Sequence, residues 1–126
     1  MILGIGTDIV DVAMISSLYA KYGLKFLDKV LTESEKEYCI SHTNPPQYIA
    51  ARFAAKEAAS KAFGYGIGIK FHWKNIEVNK NLLGKPKLKF HNSAKECFDK
   101  LECDCHVSLS HTKEYATAVV LLETWE

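Results

Sequence analysis

"ARFAAKEAASKAFGYG", residues 51–66, decides how the rest of the chain is read. Six alanines among good helix formers predict a helix, and Gly64 and Gly66 end it. At helical spacing Glu57 and Lys61 fall about 40° apart, with Ala50, Phe53, Ala54 and Ser60 around them. Arg52 and Lys56 lie on another flank. Ala51, Ala55, Ala58 and Ala62 form a third face, smooth enough to pack very closely on a sheet. An i,i+4 ion pair between Glu57 and Lys61 is worth only about 0.3–0.5 kcal/mol. The small neighbours leave room for a different partner to approach both charges, and a phosphate with a metal fits that space.

Upstream, "ILGIGTDIV" at 2–10 alternates as a strand. Leu3, Ile5, Thr7 and Ile9 share one face; Gly4, Gly6 and Asp8 share the other. Asp11 is positioned to cap a helix whose buried stripe is Val12, Ile15, Tyr19, Tyr22 and Phe26, with Gly23 as an interruption. "TESE" at 32–35 is a capping box joining Thr32 and Glu35. "TNPP" at 43–46 breaks the chain, so the long helix is expected from about Gln47 to Phe63.

Downstream, "NIEVNKNLLGKPKLKF" at 75–90 predicts two strands joined by a polar loop, and "SAKE" at 93–96 predicts a further capping box. "CHVSLSHTKEYATAVVLLE" reads as two strands flanking a turn around His111–Glu114. Helices interspersed with hairpins give an α+β fold, one compact domain over 1–126 with a mostly antiparallel sheet and a long central helix.

The totals limit the function. A chain of 126 residues, 48% hydrophobic and 25% charged, is an ordinary soluble globular composition. No apolar run approaches the ~20 residues a membrane span needs, and "MILGIGTDIVDV" reads as a strand rather than a leader. A cytoplasmic protein without membrane attachment is expected. Cys39, Cys97, Cys103 and Cys105 lack paired spacing and are expected as reduced thiols, and C-x-C-H at 103–106 is too tight for a zinc knuckle. Net charge is +1, yet residues 56–100 carry ten Lys against four acids. A basic middle on a nearly neutral protein suits a small polyanion better than nucleic acid.

Two carboxylates from separate elements, Asp8 and Glu57, are a usual protein contribution to a Mg²⁺ that also binds substrate phosphates. An acid at a strand end is also a common cap. Ser110, His111 and Thr112 sit where donors in a turn point outward together, toward phosphate oxygens or simply toward solvent. There is no G-x-S-x-G elbow, so Ser110–His111 is not a hydrolase pair.

"GIGTDIVDV" at 4–12, "ARFAAKEAASKAFGYGIG" at 51–68, "LGKPKL" at 83–88 and "VSLSHTKEYATAVVLLE" at 107–123 together resemble the holo-[acyl-carrier-protein] synthases. These are the small bacterial class of 4′-phosphopantetheinyl transferases, and F-x-x-K-E-A-x-x-K-A is their signature. The resemblance implies transfer of 4′-phosphopantetheine from coenzyme A to a serine of acyl carrier protein, releasing adenosine 3′,5′-bisphosphate and serving fatty acid biosynthesis. It assigns Mg²⁺ to Asp8 and Glu57, a pyrophosphate oxygen to Lys61, and the phosphates to His111 with the adjacent turn, including Thr112. Arg52, Gly64 and Gly66 would line the nucleotide site, with Lys85 and Pro86 near the adenine end. Glu57, a metal-bound water and His111 all remain open as acceptor of the serine proton. The family forms homotrimers with sites between subunits, which implies a division of Asp8, Glu57 and the turn among chains.

The first helix would meet the acidic carrier. Related sequences usually carry a basic residue where this chain has Met14. Met14, Leu18, Lys21 and Lys25 fall on one helical stripe whose charge is shifted toward its C-terminal end. The competing readings are a Mg²⁺-dependent phosphohydrolase and a trimeric nucleotide- or carrier-binding module without turnover.

Overall fold

The computed structural model describes residues 1–68 and 71–125. In chain order the elements are β1 (Ile2–Asp11), α1 (Val12–Tyr22), α2 (Leu24–Val30), α3 (Glu33–Ile40), α4 (Pro45–Phe63), β2 (Ile76–Lys80), β3 (Pro86–Phe90), α5 (Asn92–Leu101), β4 (Cys103–His111) and β5 (Tyr115–Thr124). A three-stranded antiparallel sheet has the order β1-β5-β4, and β2 with β3 forms a separate antiparallel hairpin. The α+β class with antiparallel sheets and a long helix is therefore what the chain adopts.

Local signals explain most boundaries. Asp11 caps α1, its Oδ1 accepting from the Ala13 N–H at 2.9 Å. Gly23, at φ 57°, separates α1 from α2, and this break leaves Tyr22 exposed rather than buried with its stripe. The Thr32–Glu35 capping box is present in both directions. The α4 helix begins at Pro45, two residues before the expected start, because proline suits a first turn whose N–H groups are unpartnered anyway. Gly64, at φ 88°, closes it in the left-handed conformation. The expected capping box at 93–96 does not form. Its helix starts at Asn92, with His91 in the cap position, and the Ser93 hydroxyl instead accepts from the Asn75 amide at 3.1 Å.

The decisive packing is α4 on β1. A Cβ added to Gly6 would lie 1.9 Å from the Ala58 carbonyl oxygen, and one added to Gly4 would lie 2.0 Å from that of Ala62. Helix backbone and strand backbone therefore touch. Of the expected smooth face, Ala55 and Ala58 are fully buried and Ala51 and Ala62 nearly so, and Ala54 and Ala59, outside that face, are fully buried as well. Because the glycine face of β1 turns inward, its apolar face turns outward. Leu3, Ile5 and Ile9 are 43%, 60% and 65% exposed, a strand laid inside out relative to the usual alternation.

Behind α4 lies a buried ion pair. The Lys56 ammonium donates to Glu35 Oε1 and to the Val30 carbonyl, each at 2.6 Å, and both charged side chains are fully enclosed. Glu35 Oε2 also accepts from the Val78 N–H at 2.8 Å. Such a pair adds little net stability, because desolvation offsets its attraction, but losing either partner strands a charge. It fixes α3 and β2 against the middle of α4.

A second polar cluster joins α3, β2 and His91. Glu77 accepts from Ser34 Oγ at 2.5 Å, Thr32 Oγ1 at 2.7 Å and pairs with His91 Nε2 at 3.0 Å. Burial pushes its carboxyl up, but the hydrogen bonds from Ser34, Thr32 and His91 outweigh this and hold it at about 2, below the ordinary 4.5. A depressed carboxylate contributes stability above the unfolded-state value that is lost as pH falls through 4.5 toward about 2. Glu77→Gln is therefore expected to be about 1–2 kcal/mol less stable at pH 7, after allowing for solvent screening. The gap should close below pH 4.5, as read from urea midpoints across pH.

Candidate active site

Asp8 is the first residue of β1 beyond the glycines whose side chain clears α4, and it emerges beside Lys61. The Lys61 ammonium reaches Asp8 Oδ1 at 3.1 Å and the Thr7 carbonyl at 3.1 Å. The lysine thus pairs across elements with Asp8 rather than along the helix with Glu57. Burial, then the Asp8 charge, push the Glu57 carboxyl above its ordinary value, and Lys61 offsets part of this. Two carboxylates of one half-buried site are consequently short of positive charge. Hard oxygen donors in that condition fit a divalent cation whose remaining positions a phosphate fills. Asp8 and Lys61 open on a cleft of about 530 Å³ shared with Thr7, Ser108, Ser110 and Thr117. Gly64 and Gly66 follow Lys61 directly, at the same end of α4.

Arg52 sits elsewhere. Twelve residues before Gly64, it lies about 18 Å along α4 and lines a different pocket of about 200 Å³. His111, Pro86, Tyr38, Tyr48 and Lys80 line the same pocket. Arg52 is 4% exposed, its Nη1 donates to the Tyr48 carbonyl at 3.5 Å, and its buried Nε has no hydrogen-bond partner among the described residues. The Tyr48 ring stacks on His42 at 3.7 Å and meets His111 edge-on at 5.5 Å.

One chain therefore separates the expected nucleotide residues. Arg52 and Gly64–Gly66 do not share a cleft, because a 19-residue helix stands between its own ends. Asp8 and Glu57, expected from different chains, come from the same one; it is the His111 turn that stands apart. Thr112 builds that turn, its hydroxyl oxygen accepting from the N–H groups of Glu114 and Tyr115 at 3.1 Å each. Lys85 lines a neighbouring cleft with Pro86, Lys87 and His106. Tyr38, Tyr48 and Lys80 escaped the sequence reading, because their convergence depends on tertiary packing of α3 against β2.

The Met14–Lys25 stripe is broken at Gly23, so Lys25 belongs to α2. Leu18 and Lys25 still share an apolar groove of about 490 Å³ with Tyr22, Phe26, Lys29 and Phe53. Met14 is 46% exposed on α1, outside that groove. Among the described residues, no helix is long and apolar enough to cross a membrane.

Residues 4–120 match the family model of the 4′-phosphopantetheinyl transferase superfamily. A holo-[acyl-carrier-protein] synthase of Koribacter versatilis is 43% identical over 98% of this chain and 99% of its own. One from Syntrophus aciditrophicus is 42% identical over 98% and 97%. Among solved structures, the synthase of Neisseria meningitidis superposes with a TM-score of 0.90 at 34% identity, covering 98% of this chain and 100% of that one. The Bacillus anthracis synthase, solved in complex with CoA (3′,5′-ADP), gives 0.83 at 38% identity, covering 98% of each. The match runs over nearly the full length of both chains, and the chain belongs to the holo-[acyl-carrier-protein] synthases of the 4′-phosphopantetheinyl transferase superfamily.

Proposed function

We propose that the chain transfers 4′-phosphopantetheine from coenzyme A to a serine of apo acyl carrier protein, in the cytoplasm and in service of fatty acid biosynthesis. The observation that carries this is Asp8 meeting Lys61 beside a carboxyl, Glu57, that burial and Asp8 have destabilised. Asp8 and Glu57 would hold Mg²⁺, which when bound offsets charge on the pyrophosphate oxygens. Lys61 meets the charge that grows on the leaving adenosine 3′,5′-bisphosphate, an interaction stronger in the transition state than in the ground state. The carrier serine oxygen bonds to the phosphorus next to pantetheine while the bond to the nucleotide phosphate breaks. In this reading Glu57 accepts the serine proton.

The outward apolar face of β1, continued by Val119 and Tyr115 on β5, is the surface that second copies of this chain would cover in a homotrimer. Such packing brings the Arg52–His111 pocket of one copy to the Asp8–Lys61 cleft of another. It would restore the nucleotide site that a single chain divides.

The acidic carrier would dock on the Leu18–Phe53 groove, whose apolar floor is flanked by Lys25 and Lys29, while Met14 and Lys21, also on α1, lie outside its lining. Lys25→Glu is expected to raise the KM for carrier about tenfold at low salt, and less at high salt, with the KM for coenzyme A unchanged. Steady-state kinetics at two ionic strengths would check it.

Incubation with coenzyme A, Mg²⁺ and apo carrier, followed by intact mass measurement, separates the readings. A transferase adds the phosphopantetheine arm to the carrier. Nucleotide release without carrier would indicate a hydrolase, and no release would indicate a binding module.

A further inference from the structure

The face that α4 lays on β1 cannot lock itself. Between Phe53 and Phe63 the helix carries only alanines, Ser60, Lys56, Glu57 and Lys61. Its contact with Gly4 and Gly6 is backbone against backbone. Alanine on glycine offers no side-chain ridges to interdigitate, so this contact alone leaves the helix free to turn or slide along the strand. Yet Glu57 and Lys61 have to stay opposite Asp8, whose carboxylate Lys61 meets at 3.1 Å.

A side chain on the far side of the helix supplies what the smooth face lacks. Lys56 is the one long side chain fully buried between Phe53 and Phe63, and it lies about 200° around the helix from Ala58. Its ammonium donates to the Val30 carbonyl at the end of α2 and to Glu35 Oε1 on α3. Glu35 is itself held from two directions. Its Oε1 accepts from the Thr32 N–H and its Oε2 from the Val78 N–H of β2, each at 2.8 Å. The tip of the lysine is therefore fixed to three elements outside the β1 sheet. Burial favours its neutral amine, and Glu35 opposes this. An apolar side chain of similar length would fill the space without that conflict, but it would impose no direction. Setting register is the best-attested use of a buried polar group of this kind.

We propose that Lys56 and Glu35 are positioning residues for the transfer reaction: their buried pair sets the rotation and axial register of α4 on β1 and so holds Glu57 and Lys61 opposite Asp8. The reaction itself rests on the transferase reading, whereas the register can be measured without it.

Lys56→Met, Lys56→Met with Glu35→Gln, and Glu35→Asp should be compared by melting temperature, by the amide NMR signals of Gly4 and Gly6, and by kcat. Lys56→Met alone should melt well below wild type, because Glu35 stays buried without its partner. Adding Glu35→Gln leaves no buried charge and should recover most of that loss. The recovered protein should still have a kcat about tenfold to a hundredfold low, the size expected for reacting groups misplaced by about 1 Å. Its Gly4 and Gly6 signals, across the helix from the substitutions, should move. Glu35→Asp keeps both charges but draws the carboxylate back by one methylene. It should stay folded and move the same signals, with a smaller loss of kcat. A double variant that regains wild-type kcat together with its melting temperature would overturn the proposal, since the pair would then be only structural. Unmoved Gly4 and Gly6 signals in the folded variants would overturn it as well. A wild type that moves no phosphopantetheine, while the variants show these shifts, fails the transferase reading alone.

Discussion

Glu57→Gln is expected to lower kcat about a thousandfold, roughly 4 kcal/mol of transition-state stabilisation, while the protein melts no lower than wild type. The two halves of that result have one cause. Burial and the Asp8 charge make ionised Glu57 unfavourable in the folded state, so its carboxyl is raised above its ordinary value. A raised carboxylate costs stability once the pH exceeds its unfolded value, and the neutral amide relieves that cost at pH 7. The same amide keeps the helix former and its shape, but it removes one of the two charges that would hold a divalent cation and the group that would accept the serine proton. Residual turnover should also require more Mg²⁺ than the wild type. Turnover near wild type at low Mg²⁺ would show that Glu57 is only a solvated helix residue.

Gly6→Ala should lower the melting temperature by about 10 °C or more, and it should impair the catalytic site even in the molecules that remain folded. Its new Cβ would lie 1.9 Å from the Ala58 carbonyl oxygen and 2.8 Å from the Ala62 N–H nitrogen, both of them main-chain atoms that no rotamer change can move. Overpacking of ordinary side chains costs about 1–3 kcal/mol, and a backbone collision lies at or beyond that range. Relief requires α4 to lift from β1. Glu57 and Lys61 ride on α4 and Asp8 on β1, so the 3.1 Å pairing of Lys61 with Asp8 would open as well. Thermal denaturation and kcat measured on the same preparation check both. An unchanged melting temperature would mean that helix and strand are less closely apposed than described.

What the sequence made legible follows from how local each signal is. Asp11, the Thr32–Glu35 box and Gly64 act within a turn of their own position, and each marks the boundary it implies, whereas the paired prolines lie inside the first turn of α4 instead of breaking the chain before it. The alanine face and the glycines of β1 could be matched as two smooth surfaces. Ser93 and Glu96 carry the capping spacing without the cap, because the helix starts two residues early, at Asn92, with His91 in the cap position. The i,i+4 spacing of Glu57 and Lys61 suggested a pair along the helix, but the nearer carboxylate in space is that of Asp8, 53 residues away in the chain. Lys56 is the sharpest case. It sits beside Glu57 in the signature, yet its charge is fully buried against Glu35, an arrangement visible only once α3 packs on α4. The Tyr38–Arg52–Lys80 cluster is of the same kind, assembled from three elements with no common periodicity.

The central claim is that transfer occurs at a site one chain supplies only in part, with Asp8, Glu57 and Lys61 from one copy and Arg52 and His111 from the next. Mixing Asp8→Ala with His111→Ala chains, allowing subunit exchange and following the carrier by intact mass, tests it most directly. Each variant alone should be strongly impaired. In a random one-to-one mixture about a quarter of the interfaces join an intact Asp8 cleft to an intact His111 turn, so activity should recover toward about a quarter of wild type. Asp8→Ala mixed with Glu57→Ala should recover nothing, because the two carboxylates face each other within one chain and no copy in that mixture carries both. No recovery in the first mixture despite verified exchange, or recovery in the second, would contradict the account.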